Sequence, residues 1–252
     1  MIGWKTGINS VYLQILSCRF MKRRITSLSQ TWLMLLFPMS FMAVSCEKNI
    51  DEKRDNAPSH VQAIDLGLSV KWANCNIEAS TPEAAGAYYA WGETEEKEEY
   101  TPFTYKYYLG DLNEDGNYYN FEEYKNIGND ISGTDYDVVR AKWGGSWRMP
   151  TREEFEELCL KCSWEATEIN GIKGKTVTGP NGNSIFLPCT GIRTGTETAN
   201  DANRIGAYWS ATLSNPPSSA YSILFTYNDI VSGDRNISAY RTHGLAVRPV
   251  TE

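Results

Sequence analysis

The chain has 252 residues, 41% of them hydrophobic and 22% charged, a balance that excludes an intrinsically disordered protein and leaves enough apolar residues for a core. Its formal charge of −7 becomes −12 once residues 1–45, which hold five basic residues and no acidic ones, are set aside. So acidic a chain repels phosphate backbones, which argues against nucleic acid as a partner and suits divalent cations and neutral ligands.

Lys22, Arg23 and Arg24 precede an apolar run over residues 32–44 that closes on Ala43, Val44, Ser45 and Cys46. A basic start, an apolar middle and small residues before a cut form the secretory pattern. With cysteine first after the cut, the segment resembles a bacterial lipoprotein signal peptide. The resemblance implies that residues 21–45 are removed and that Cys46 carries a lipid anchoring the protein to the outer membrane, on its cell-surface or periplasmic face. A transmembrane helix is the alternative, but Pro38 interrupts the run, which falls short of the roughly 18–20 apolar residues a span needs. Residues 1–20 sit upstream of a signal that begins naturally at Met21 and read as an extension from a misplaced start. Cys18, preceded by Lys5 alone, is the poorer lipid acceptor. Glu47, Asp51, Glu52 and Asp55 then make residues 46–60 an acidic, flexible tether, similar to the outer-leaflet export signals of some Gram-negative phyla.

The domain proper is expected over residues 61–252. It opens with AIDLG, LSVKWANCNI and GAYYAWGE, whose alternation and β-branched or aromatic content predict strands. A charged segment, 94–100, and the tyrosine-rich TPFTYKYYLG lead to the sharpest motif in the chain. Asp111, Asn113, Asp115, Gly116 and Glu122 reproduce D-x-N-x-D-G-x5-E, the spacing of a calcium loop. That spacing supplies side-chain oxygens from Asp111, Asn113 and Asp115, a turn at Gly116, the Asn117 carbonyl and a two-oxygen carboxylate at Glu122. Neither flank reads as a long amphipathic helix, so the expectation is a lone calcium loop inserted in the domain. An Asn/Asp/Gly-rich surface turn is the plainer alternative. Tyr118, Tyr119 and Tyr124 border the loop as candidate stacking faces for a ligand.

Beyond it, WGGSWRMPTREEFEEL carries a capping box, Thr151 with Glu154 three residues on, which predicts a helix start. Phe155, Leu158, Cys159 and Cys162 recur on one face, to pack on a sheet, and leave Arg152, Glu153, Glu156, Glu157 and Lys161 for water. WEATEING and IKGKTVTGPNGNSIFLPCTG read as strands turning at Asn170-Gly171 and Asn181-Gly182. After a polar loop over 192–205, GAYWSATL, SAYSILFTY and HGLAVRPV read as closing strands. Cys75, Cys159, Cys162 and Cys189 are disulfide candidates in an exported chain, with the pairing open, or else small hydrophobes in packing.

WGGSWRMPTREEFEEL, TGPNGNSIFLP, YWSAT and the terminal AVRPV, in this order, resemble the Fib-succ-major paralogous domain, a family of exported bacterial proteins similar to C-type-lectin-like domains. The likeness spans residues 63–250. It implies an α+β fold of small twisted antiparallel sheets with one or two helices, long loops on one side, and N- and C-terminal strands brought together. The Glu-Pro-Asn or Gln-Pro-Asp and Trp-Asn-Asp triplets of sugar-chelating C-type lectins are missing, with Tyr208, Trp209 and Ser210 at the nearest place. Calcium, if bound, therefore belongs to the Asp111 loop.

Three functions follow as expectations. The first is a surface lipoprotein with a non-catalytic binding or adhesion module, for a glycan or a surface protein. Trp72, Trp91, Trp143, Trp147, Trp164 and Trp209 are stacking candidates for it, although Trp72, Trp143, Trp147 and Trp209 suit the core better. The second is a structural or assembly subunit of a surface complex. The third is an enzyme related to formylglycine-generating oxidases. Against the third, the two histidines, His60 in the tether and His243 in a strand, and Lys161 beside the Cys159/Cys162 pair are poor materials for acid–base or thiol chemistry.

Overall fold

Successive side chains of a strand point to opposite faces, and the segment IGAYWSATL uses both. Its strand separates two apolar clusters: Ala207, Trp209 and Ala211 face one, and Tyr208 faces the other. The computed structural model describes residues 55–110, 123–197, 199–228 and 237–252, which lie within one unit, Ile50–Glu252.

In chain order the elements are β1 (Ala63–Ile64), β2 (Lys71–Ala73), α1 (Val138–Lys142), α2 (Arg152–Lys161), β3 (Ser163–Ile169), β4 (Ile172–Thr178), β5 (Ser184–Pro188), β6 (Ile205–Leu213), β7 (Ser219–Thr226), β8 (Ser238–Tyr240) and β9 (Val250–Thr251). They form three antiparallel three-stranded sheets, ordered β1-β2-β9, β3-β4-β5 and β6-β7-β8. The fold is thus α+β, with few helices beside small antiparallel sheets. Trp72 opposite Val250 joins the first strands to the last.

The predicted helix begins where the capping box requires: Glu154 N–H donates to the Thr151 hydroxyl at 3.3 Å and Thr151 N–H to the Glu154 carboxylate at 2.8 Å. Phe155 and Leu158 are buried with Leu66, Trp72 and Val177, and Cys159 and Cys162 pack half-buried against the same cluster. The Phe155 ring lies 5.3 Å from that of Trp72. Helix α1, which sequence reading left unassigned, starts at Asp137. The buried Asp137 carboxylate accepts the N–H groups of Gly133, Val139, Arg140 and Met149 at 2.8–3.2 Å, pinning the approach to the WGGSW stretch. Gly144 and Gly145 (φ +68° and +55°) then make two successive left-handed steps, which a side chain would strain.

Four predicted strands are shorter than the pattern suggested, AIDLG keeping only Ala63–Ile64 and LSVKWANCNI only Lys71–Ala73. Among the described residues, 86–93 form one bridge, Tyr89 opposite Leu245, beside a backbone bond from Trp91 N–H to Arg241 O at 2.9 Å; the chain turns at Gly86 and Gly92 (φ +72° and +85°). Indoles tie this segment down instead, Trp91 donating to Ser210 O at 2.9 Å and Trp209 to Tyr89 O at 2.7 Å. HGLAVRPV contributes bridges at Gly244, Leu245 and Ala246 and only Val250 to a strand. His243 lies in the turn after β8 rather than in a strand. Contacts also begin earlier than residue 61: Asn56 N–H donates to Trp143 O at 2.6 Å, and the His60 ring meets Ala79 O at 2.9 Å. Residues 55–60, assigned by sequence to the tether, are therefore held against the domain.

Arg248, in the AVRPV motif, is fully buried. It donates to Asn76 Oδ1, Ala73 O and Phe186 O at 2.8–2.9 Å, so one guanidinium holds β2, β5 and the C-terminal segment together.

Candidate functional site

Asp111, Asn113, Asp115, Asn117 and Glu122, the neighbouring Tyr118 and Tyr119, and Cys46, the lipid acceptor expected from sequence, all lie outside the described residues. What is described is the base on which the calcium-type stretch stands. The chain enters and leaves it as an antiparallel pair: Tyr108 bridges Tyr124, Leu109 N–H donates to Glu123 O and Lys125 N–H to Tyr107 O, both at 2.8 Å. Neither described flank is helical, as the sequence reading of the flanks expected.

Aromatic rings close this base. Tyr124 is half-buried, 5.5 Å from Tyr108 and 5.9 Å from Tyr105, and Tyr105 meets Tyr107 edge-on at 5.6 Å. In the middle sits Arg241, buried, its guanidinium 4.8 Å from the Trp91 ring, 5.4 Å from Tyr105 and 5.2 Å from Tyr124. It donates to the Tyr105 hydroxyl at 2.9 Å, Pro217 O at 3.2 Å and Lys125 O at 3.4 Å. Tyr124, a candidate stacking face, thus shares its ring with the Arg241 cation. Among the described residues beside the loop, Phe103 and Leu109, 50% and 58% exposed, are large apolar side chains that face solvent. Of the six tryptophans among the described residues, five are buried and Trp164 is half-buried, edge-on to Phe225 at 5.7 Å.

The charged segment that follows Trp91 lines two open clefts. One, of about 260 Å³, is bounded by Glu93, Thr94, Glu95, Glu96, Lys97 and Thr104 with Lys106 and Tyr107. Buried Glu93 forms its floor, pairing with Lys97 at 2.8 Å and accepting Lys106 N–H at 2.7 Å. The other, of about 440 Å³, lies between Glu78, the 79–87 turn and Glu96. Glu78 accepts the Tyr89 hydroxyl and pairs with Lys142 at 3.0 Å, and Arg193 reaches Glu96 at 3.6 Å. Carboxylates and cations alternate along this rim, which offers hydrogen-bond partners for a polyhydroxylated ligand but no concentrated charge.

Partial burial works against the Glu78 carboxylate, yet its bonds from Tyr89 and Lys142 hold its pKa below the ordinary 4.5. With the folded value depressed, its contribution to stability is complete above about pH 4.5 and is lost as pH falls through the lower folded value. Glu78→Gln is expected to flatten the acid limb of a stability-versus-pH curve; an unchanged limb would show that the Tyr89 and Lys142 bonds do not act on it.

The four cysteines named as disulfide candidates are thiols in this structure. Cys75 and Cys189 are buried, and burial pushes Cys162 and Cys189 up to about 11; they pack as small hydrophobes. His243 stands edge-on to exposed Tyr240 at 5.4 Å, its pKa lowered by burial. Among the described residues no group of three or more His, Cys, Asp or Glu side chains is arranged to hold a metal, and no helix is long and apolar enough to cross a membrane. Sequence reading missed Arg241 and Glu93. Glu93 had a legible signal, Lys97 four residues on, whereas nothing local marks Arg241. No protein-family model, curated protein or solved structure matches the chain.

Proposed function

We propose that the protein is an exported lipoprotein, anchored in the outer membrane through a lipid on Cys46. Its domain is a non-catalytic module that binds glycans at the cell surface and is stiffened by calcium at Asp111, Asn113, Asp115, Asn117 and Glu122. The observation that carries this reading is the pairing of Tyr108 with Tyr124. The whole calcium-type spacing is contained between two segments that an aromatic base holds together, so metal can order the loop without reorganising the fold. Small antiparallel sheets beside two helices, with first strands paired to last, support a C-type-lectin-like domain of the Fib-succ-major kind. Phe103, exposed beside the loop, offers the aromatic surface on which a sugar ring packs, and the Glu/Lys-lined cleft next to it offers partners for hydroxyl groups.

A glycan panel probed in calcium buffer and in chelator tests the reading. At least one glycan is expected to bind, and Phe103→Ala to weaken that binding about tenfold, as expected of a ring at the centre of a contact. Binding indifferent to both chelation and Phe103 would contradict it. Failure to bind any glycan would favour the assembly-subunit alternative.

A further inference from the structure

The chain carries two Asn-Gly pairs at exposed turns, and the fold treats them differently. Asn170 and Gly171 (φ +52° and +81°) are the successive left-handed residues of the tight turn joining β3 to β4. The Asn170 amide is held by one bond, Nδ2 to Glu83 Oε1 at 2.7 Å. Among the described residues the Gly171 N–H has no backbone acceptor, and a side chain built on Gly171 would meet nothing within 4 Å. At the second pair the amide is held on both atoms. Asn181 Nδ2 donates to Asp65 O at 2.9 Å and lies 3.5 Å from Asp65 Oδ1, and its Oδ1 accepts Asn183 N–H at 3.1 Å. The Gly182 N–H is itself engaged, donating to Gly179 O at 3.0 Å.

We propose that Asn170 is a site of spontaneous deamidation, and that Asn181 is protected from the same reaction by its hydrogen bonds. The Gly171 backbone nitrogen attacks Asn170 Cγ: a nitrogen–carbon bond forms, the Cγ–Nδ2 bond breaks, and ammonia leaves with the proton given up by the Gly171 N–H. Water then adds to one of the two carbonyls of the five-membered imide, opening it to aspartate or isoaspartate. Solvent water is the only co-reactant, and nothing is oxidised or reduced.

The product alters a specific contact. The bond from Asn170 holds the Glu83 carboxyl below its ordinary value, and deamidation replaces that donor with a second carboxylate facing the first. Glu83 lies in the turn whose Ser80 and Ala84 line the larger cleft. The reaction therefore releases the β3–β4 hairpin tip from the wall of that cleft and adds a negative charge beside it.

Incubation of the folded full chain at mildly alkaline pH, followed by peptide mapping by mass spectrometry, tests the proposal. Asn170 is expected to convert about tenfold faster than Asn181, given the extra hydrogen bonds that must break before Asn181 can react. In denaturant the two rates should converge. Equal or reversed rates in the folded chain, or conversion of neither site where the unfolded chain converts both, would overturn it. Independently, Asn170→Asp should melt below wild type and Glu83→Gln in that background should restore the loss. An Asn170→Asp variant that melts with wild type would overturn the coupling to Glu83.

Discussion

Replacing Arg248 with leucine is expected to lower folding stability by about 3–5 kcal/mol, since buried acceptors stripped of their donor each cost roughly 1–3 kcal/mol. The three acceptors are Asn76 Oδ1, Ala73 O and Phe186 O, all within 2.9 Å of the guanidinium and far from water. Burial lowers the Arg248 pKa from its ordinary value. Backbone and amide oxygens do for this charge what a carboxylate does in an ion pair. Arg248→Lys is expected to recover little, because one ammonium lacks the planar fork that reaches β2, β5 and Asn76 at once. Denaturant unfolding measures the effect as a fall in midpoint at unchanged slope. A loss below about 0.5 kcal/mol, the ordinary range for an exposed position, would show that the three acceptors find other donors.

The second large effect concerns the base of the calcium-type loop. Arg241→Met keeps the length of the side chain but removes the cation between Trp91, Tyr105 and Tyr124. It also leaves the Tyr105 hydroxyl, Pro217 O and Lys125 O without their donor. A desolvated cation–π contact is worth about 2 kcal/mol and each lost hydrogen bond about 1 kcal/mol. A fall of about 5 kcal/mol is expected in consequence. Global destabilisation alone would not distinguish this account. The discriminating readout is hydrogen exchange at Leu109 and Lys125, whose amides close the loop base by donating to Glu123 O and Tyr107 O. Those two amides should lose protection beyond the global change. Uniform loss across the domain would make Arg241 a general core residue with no particular hold on the loop.

How far the sequence reveals this fold depends on whether the determining contacts are local. Thr151 and Glu154 reach each other across one turn, so α2 was legible from four residues, and the turns at Asn170-Gly171 and Asn181-Gly182 were legible from dipeptides. Trp72, Trp143, Trp147 and Trp209 are buried as their size and apolarity suggest. Residues 86–93 look like a strand by composition, yet their partners, Arg241, Leu245 and Ser210, lie more than a hundred residues away and engage them through single bridges and indoles. Arg241 and Arg248 stayed hidden for the same reason: an arginine reads as surface until the carbonyls that surround it are brought from distant parts of the chain. At the candidate site, the metal spacing was legible in a single run of residues. The aromatic base beneath it, assembled from 91, 105, 124 and 241, was not.

Thermal unfolding in calcium and in chelator, on the wild type and on the Asp111→Ala/Asp115→Ala variant, tests the central claim most directly. Metal that binds only the native state stabilises it by RT ln(1 + [L]/Kd), about 2.7 kcal/mol at a hundredfold excess over Kd. The account predicts that gain in the wild type, its loss in the double variant, and equal melting of the two proteins in chelator. Identical melting of the wild type in both buffers would contradict it.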